Sequence, residues 1–511
     1  MLMKKLKGVT ALFCALTLTA AVLSGCSTIK NPAPSEPSKA AQTSVPQKPF
    51  RITIMAPMVN TEPTREDNEA FKKVQEYTNT QLEVTWVPSA AYRDKVSTAL
   101  ASGDLPMILT VTDYKFPSLI SYIRSGGCWE IGPYIKDFPN LNKYINKDVF
   151  NNVSVDGKNH QLFRTRDIAG DGMIFRKDWL EALEIKEPKT LDEFYEMIKA
   201  FAAKDPDKNG KSDTLGLTED KDMRGFKILL AWHGGPNAWE EKSGKLVPDF
   251  MTKEFLDTMK FYKRMYTEKI MNQDFAIATR AQKDDNLSKG KAGVVLTGLD
   301  QYTRYGDVVK LFPSAKLDLL NTIKGPKGER IMAEAGYTGV FVYPKISVKT
   351  EDDLKQILSF YEKCYDPKVS NIFKWGLEGK HYTVENGKAV QTDEQIKLFA
   401  AEVNPIRQIK NTKDETALPA GKLTPLDQKK IDLIEKNSNI AVFNPTEPFI
   451  SNTYTEKGTD LIKLINDARI KYIMGEIDDT AWNKVLEQWT KNGGDKVIHE
   501  YEAELSKANK K

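Results

Sequence analysis

Histidine and cysteine are scarce in this chain, with four of each among 511 residues. The histidines, His160, His233, His381 and His499, stand far apart and show no metal-ligand spacing. Neither G-x-S-x-G nor H-E-x-x-H occurs, so no nucleophile elbow and no zinc-peptidase helix is written in the sequence. Charge of one sign is also missing. The formal net charge is +4, and Lys4, Lys5 and Lys7 at the N-terminus supply three of it, leaving +1 for the rest. That balance offers no basic stripe for a nucleic acid. The apolar N-terminal run without a charge, Val9 to Leu23, is shorter than the roughly 20 apolar residues that span a bilayer.

The N-terminus reads instead as an export signal. Three lysines precede the apolar run, small residues follow, and Leu23-Ser24-Gly25-Cys26 looks like a bacterial lipobox. Residues 1–25 form the expected signal peptide, and Cys26 the expected lipidated residue. Residues 26–49 then hold Pro32, Pro34, Pro37, Pro46 and Pro49 among Ser, Ala, Lys and Gln. This composition cannot bury enough apolar surface to order itself and suits a tether. With Cys14 in the leader and Cys26 acylated, Cys128 and Cys364 are too few for a disulfide framework.

Beyond residue 50 strand and helix signals alternate. Arg51 to Ala56 reads as a strand, and Thr64 as the cap of a helix with Phe71, Val74 and Tyr77 on one face. Leu82, Val84 and Trp86 alternate as a second strand, Asp94 to Ala101 as a helix, and Pro106 to Val111 as a third strand. Such spacing predicts a parallel α/β sheet. Thr190-Leu191-Asp192-Glu193 reads as a capping box. Ala292 to Leu296 and Val340 to Tyr343 read as buried strands. Glu351 to Tyr361 and Asp460 to Ile473 read as helices, the latter stopping at Gly475. Trp482, Val485, Leu486 and Trp489 mark a last helix.

Two chemical signals stand out. Asp205-Pro-Asp207-Lys-Asn209-Gly210-Lys211-Ser-Asp213 matches the start of an EF-hand loop, whose alternate oxygens suit Ca2+. Asp205, Asp207, Asn209 and Asp213 would offer side chains and Lys211 its carbonyl; Gly216 stands where an EF-hand places glutamate, and a solvated turn without metal is the alternative. The second signal is aromatic. Trp and Tyr stack on the apolar faces of sugar rings. Trp232, Trp239, Trp375 and Tyr337 lie near Gly or Pro, which places them on loops, where packing and ligand contact are equally open. Trp179, Trp482 and Trp489 read as packing. Glu378, close to Trp375, is a candidate partner for sugar hydroxyls.

The lipobox, Ala101-Ser102-Gly103-Asp104-Leu105-Pro106, Phe175-Arg176-Lys177-Asp178-Trp179-Leu180, the calcium-like loop, the run from Trp375 to Tyr382 and Gly493-Gly494 occur in that order. Together they make a chain that resembles family 1 extracellular solute-binding proteins, and more closely the lipoproteins of Gram-positive carbohydrate importers; it is similar to alginate-oligosaccharide-binding proteins. Met107 departs from the aspartate usual there. The resemblance implies a two-lobed α/β fold of the type II periplasmic-binding-protein kind, with ligand in the cleft. It implies one lobe from 50–158 and 327–393, the other from 159–326 and 394–511. It also implies a monomer on the extracellular face of the cell membrane, held only by its lipid, that binds an oligosaccharide and passes it to ABC permease subunits. Open α/β sheets bind ligands past the carboxyl ends of their strands. That rule selects Asn60, Thr61, Asp113, Asp300 and Tyr302, the last two in a stretch that contacts sugar in maltose-binding proteins. A secreted glycosidase or lyase, recognisable only by carboxylate geometry, is the alternative; a peptide-binding lipoprotein is a third reading.

Overall fold

The computed structural model describes residues 48–509 apart from 59–61, 66 and 113. Cys26 and the expected signal and tether therefore lie outside the described residues, as do Asn60, Thr61 and Asp113. No helix among the described residues is long and apolar enough to cross a membrane.

Nine strands form two sheets: β1 Phe50–Met58, β2 Thr80–Pro88, β3 Ile108–Val111, β4 Gln161–Thr165, β5 Asp171–Arg176, β6 Leu215–Thr218, β7 Ala292–Gly298, β8 Leu317–Leu320 and β9 Tyr337–Val342. The first sheet has the order β2-β1-β3-β9-β4, the second β8-β5-β7-β6. β1 runs parallel to β2 and β3, as the strand-helix-strand spacing predicts. The sheets as a whole are mixed: β9 is antiparallel to β3 and β4, and β5 is antiparallel to β7 and β8. β9 arrives from far along the chain, so no crossover helix dictates its direction.

The local signals hold with three adjustments. The first helix, Glu69–Thr78, is capped not by Thr64 but by Asn68, whose side-chain oxygen accepts from the Phe71 amide at 2.9 Å. Phe71 and Val74 are buried on its core face, but Tyr77 is 41 % exposed. Thr190 caps the helix Leu191–Ala203, while Glu193 accepts from the Lys189 amide rather than from Thr190, so the reciprocal half of the box is displaced by one residue. Gly475 ends the helix Asn452–Met474 at φ 83°, where a side chain would be strained.

One core gathers around the first sheet and takes in Val403, Ile406 and Ile409. Another joins β5 and β7 to the helices Leu191–Ala203, Arg224–Trp232, Lys253–Thr267 and Asn452–Met474. The division at 158/159 and 393/394 needs correcting. β4, beyond 158/159, pairs in the first sheet, and beyond 393/394 the chain packs on the first core through Ile409 and is still bonded to that half at Leu418 and Gly421. Cys128 and Cys364 are both buried and free.

Candidate functional site

The segments that connect the two sheets are bonded to each other. Residue 166 donates its amide to the Gly336 carbonyl at 2.8 Å, Thr165 donates its hydroxyl to Asn411 O at 2.6 Å, and Asn437 donates its side-chain amide to Ala169 O at 2.8 Å. Beside this junction lies a cavity of about 250 Å³. Its walls come from the connections (Arg166, Asp167, Glu334, Tyr337), from the turn after β7 (Gly298, Asp300, Gln301) and from Arg224. A neighbouring cavity of about 520 Å³ shares Arg224 and Glu334 and continues past Lys227 to Arg469. Both lie where ligands bind to open α/β sheets, beyond strand carboxyl ends.

Local structure explains each position. Gly298 ends β7, and a Cβ there would stand 2.6 Å from Asp300 Oδ1, so a side chain at 298 would displace the Asp300 carboxylate from its place in the wall. Gln301 is held by its carbonyl oxygen, which accepts from Arg280 Nη2 at 2.6 Å and from the Thr297 hydroxyl at 3.0 Å. Its amide nitrogen therefore keeps its donors for the cavity. Arg224 sits at the start of its helix and donates through Nε at 3.0 Å, and through Nη2, to Asp171 Oδ1. Asp171 is 1 % exposed and its Oδ2 has no partner. Burial raises its carboxyl pKa above the usual range; Arg224 opposes the shift and Glu334 adds to it. Tyr337 donates its hydroxyl to Glu447 Oε1 at 2.9 Å, and its ring meets Tyr114 edge-on with centroids 5.2 Å apart. This fixes one aromatic wall.

Of the residues selected from sequence, Asp300 and Tyr337 line this cavity. Tyr302 does not: its hydroxyl donates to Asp427 and its ring lies under Lys430, so it packs on the helix Pro425–Asn437. The loop placement of three tryptophans also fails. Trp232 is the last residue of its helix, fully buried and edge-on to Phe194 at 5.4 Å. Trp239 is buried edge-on to Tyr501 at 5.2 Å. Trp375 ends the helix Pro367–Trp375 and donates its indole N–H to Leu418 O at 2.8 Å. Glu378 is exposed in the following turn, away from the cavity. Arg166, Arg224, Gln301 and Glu334 were missed. The strand-end rule applied to β6 would have pointed at 219–224.

The loop 205–213 is built from turns. Asp205, Lys208 and Gly210 have φ of 48°, 57° and 78°. Asp205 accepts from the amides of Asn209 and Gly210 at 3.0 and 2.9 Å. Asn209 Nδ2 donates to Asp207 Oδ2 at 2.8 Å and to Asp213 Oδ1 at 3.1 Å, so a donor sits between two carboxylates. Asp207 Oδ1 is buried with no partner, and burial and Asp205 raise its pKa. No three acidic, His or Cys side chains converge tightly enough for a metal among the described residues. Position 12 cannot carry glutamate: a Cβ on Gly216 would lie 2.0 Å from the Ile198 carbonyl, because β6 is already packed on the helix Leu191–Ala203 there.

The family described as bacterial extracellular solute-binding protein matches residues 60–347. The chain is 38 % identical over 95 % of its length to the polygalacturonan/rhamnogalacturonan-binding protein YtcQ of Bacillus subtilis, covering 96 % of that protein. It is 36 % identical, over the same shares of each chain, to the lipoprotein LipO of the same organism. Among solved structures it resembles an HMO-binding, ABC-transporter-associated solute-binding protein from Bifidobacterium longum infantis, with TM-score 0.70 and 16 % identity over 90 % of this chain and 99 % of that one. The alginate-binding protein AlgQ2, solved without calcium ion, gives TM-score 0.67 and 19 % identity over 90 % and 98 %. These likenesses show the two-lobed solute-binding fold.

Proposed function

Because this chain belongs to the family of bacterial extracellular solute-binding proteins, we propose that it captures an oligosaccharide in the cleft between its two sheets and hands it, chemically unchanged, to an ABC-type permease. The observation that carries this reading is the cavity beside the connecting segments. It offers the carboxylate of Asp300, the amide of Gln301 and the guanidinium of Arg166 beside the ring of Tyr337. That is the mixture a sugar needs: hydrogen-bonding groups for hydroxyls and an aromatic face for C–H surfaces. The polygalacturonan and rhamnogalacturonan specificity of the Bacillus relative makes pectic fragments the first ligands to test. The lobes meet at residues 166–170 and 333–336, and the protein acts as a monomer whose lobes close on ligand. Calorimetric titration with oligosaccharides, followed by chromatography of the recovered sugar, tests the reading. Saturable heat with intact sugar supports it; shortened or unsaturated products would establish an enzyme instead.

Cys26 is the anchor in this reading, supported by the lipobox and by a relative that is itself called a lipoprotein. Cys26→Ala should move the protein from the membrane fraction to the medium, and unchanged fractionation would remove the assignment.

The loop 205–213 would close around a structural Ca2+, its carboxylates drawing together from positions in which no three of them converge. Its donor set is all hard oxygen, and the unpartnered Asp207 Oδ1 together with the donor held between Asp207 and Asp213 supports a cation among these carboxylates. Asp205, Asp207, Asn209, Asp213 and the Lys211 carbonyl would hold it, and the ion would pin the helix Leu191–Ala203 to β6. A cation at a hundredfold its dissociation constant stabilises the fold by about 2.7 kcal/mol. Chelation should therefore lower the melting temperature of the wild type and leave that of Asp207→Ala where it is. Melting curves that ignore EDTA would leave only a polar turn.

A further inference from the structure

A third cavity, of about 480 Å³, opens off the same cleft, and Arg166 lines both. Its walls carry five cations: Arg164, Arg166, Arg304, Arg407 and Lys410. Only one carboxylate, Asp414, touches this group closely among the described residues; it pairs with Lys410 and stands 3.6 Å from Arg407. Arg304 reaches only Asp284, at 3.8 Å, which Arg280 shares at the same distance. Arg166 has no side-chain partner among the described residues, and the Nε of Arg407 is buried without one. Arg164 is 8 % exposed and is held by neutral acceptors, Gln408 Oε1 at 2.6 Å and Thr338 O at 3.4 Å. Its guanidinium pKa is pushed down to about 10, first by burial and then by Arg166 and Arg407.

Crowding like charges at a partly dry wall is unfavourable unless something anionic completes it. Packing does not require the crowding: Arg166 and Arg304 are exposed side chains that could turn to solvent. The two sides of the alcove also belong to different halves of the molecule. Arg164 lies on β4 and Arg407 and Lys410 follow on the first core, whereas Arg304 stands on the turn after β7 that carries Asp300 and Gln301.

We propose that this alcove reads the carboxylates of an acidic oligosaccharide, so that the ligand of the cleft is a uronic-acid chain rather than a neutral one. The inference rests on the oligosaccharide reading of the cleft. Guanidinium groups match carboxylates in a bidentate fork, and the volume falls in the range of roughly 300–1,000 Å³ of ordinary ligand sites. An anionic unit here bonds Arg304 from one side and Arg164 and Arg407 from the other, so the charge itself draws the lobes together. The polar cavity beside Tyr337 takes the neighbouring sugar unit through its hydroxyls.

The test is titration of the intact mature protein with trigalacturonate, its methyl ester and a sulfated galactan trisaccharide, for the wild type, Arg304→Gln and Arg304→Gln/Arg407→Gln. The Arg304 side chain is 53 % exposed, so the single variant should fold even where the double one loses stability. The acid should bind the wild type at least about tenfold more tightly than its ester at low salt, with the advantage shrinking as salt rises; a charge-assisted hydrogen bond is worth about that factor. In the single variant the acid-to-ester ratio should fall several-fold, and in the double variant to about one. Equal affinities for acid and ester in the wild type, or a preference that survives both substitutions, would overturn the carboxylate assignment while leaving the cleft reading in place. Preference for the sulfated sugar alone would replace it with a sulfate site. Absence of binding to all three, and to neutral plant oligosaccharides, would remove the cleft reading and this inference with it.

Discussion

Trp232→Ala is expected to destabilise the folded protein by about 3–5 kcal/mol, the range for deleting a fully buried large aromatic side chain, and to leave sugar affinity within about twofold. The ring is 0 % exposed and fills the second core at the end of the helix Arg224–Trp232, edge-on to Phe194. Its indole nitrogen has no hydrogen-bond partner, so truncation removes packing and no polar contact. The backbone beneath cannot sink to fill the space: the Trp232 carbonyl lies 1.7 Å from where a Cβ on Gly325 would stand, so two backbone segments already touch there. Urea titration reads the stability, and calorimetry with a confirmed oligosaccharide reads the affinity. Trp375→Ala should cost much less, because that side chain is only half-buried at a helix end. If Trp232→Ala instead lost sugar binding and kept its denaturation midpoint, the ring would be a stacking platform and its burial a property of the unliganded state.

The contrast between these tryptophans explains what the sequence could tell. Signals carried by a few consecutive residues were legible. Gly475 stops its helix, β1 to β3 follow from alternation and spacing, and the turns of 205–213 follow from Asp, Asn and Gly. Asp300 could be placed because it stands two residues past the end of the strand β7. The rest of the cavity has no local pattern. Its walls come from 166–170, 298–301 and 334–338, and what joins them is the insertion of β9 between β3 and β4 in an order that no neighbouring residue announces. A glycine beside a tryptophan was equally ambiguous. Next to Trp232, Gly234 and Gly235 mark the end of a buried helix, not a ligand loop. The cationic alcove escaped for a related reason. Arg164 and Arg407 are 243 positions apart in number, and a nearly neutral total charge hides a local excess.

A contribution to stability from Glu219 should be lost as pH rises from about 4.5 through about 7, and Asp249, whose carboxyl burial also pushes up to about 7, adds a loss of the same sign. Glu219 directly follows β6, is 1 % exposed, and is pushed up to about 7 from an ordinary value of 4.5, chiefly by burial; Lys283 pulls it back and Asp220 adds to the rise. Two neutral donors, the Asp220 amide at 3.1 Å and the Tyr262 hydroxyl at 3.0 Å, reach its oxygens, and no cation pairs with it among the described residues. A Cβ on Gly225 would lie 2.4 Å from Glu219 Oε2, and the neighbouring Lys283 is already committed to Asp220 at 2.6 Å, both being nearly buried. The sign follows from the direction of the shift. The folded state holds this proton more tightly than the unfolded chain, so the contribution is complete below about 4.5 and is lost as pH climbs through the folded value. A rise from 4.5 to about 7 corresponds to about 3 kcal/mol. Glu219→Gln keeps the geometry of the neutral acid: its carbonyl accepts from the Asp220 amide, and its NH2 donates to the Tyr262 hydroxyl, which stands 3.0 Å from Oε2 in the wild type. The variant should therefore match the wild type near pH 4.5, exceed it by up to about 3 kcal/mol near pH 8, and make the fall between shallower, with the Asp249 part remaining. Urea denaturation across that range decides it. Parallel curves for the two proteins would show that Glu219 finds its proton no more easily in the fold than outside it.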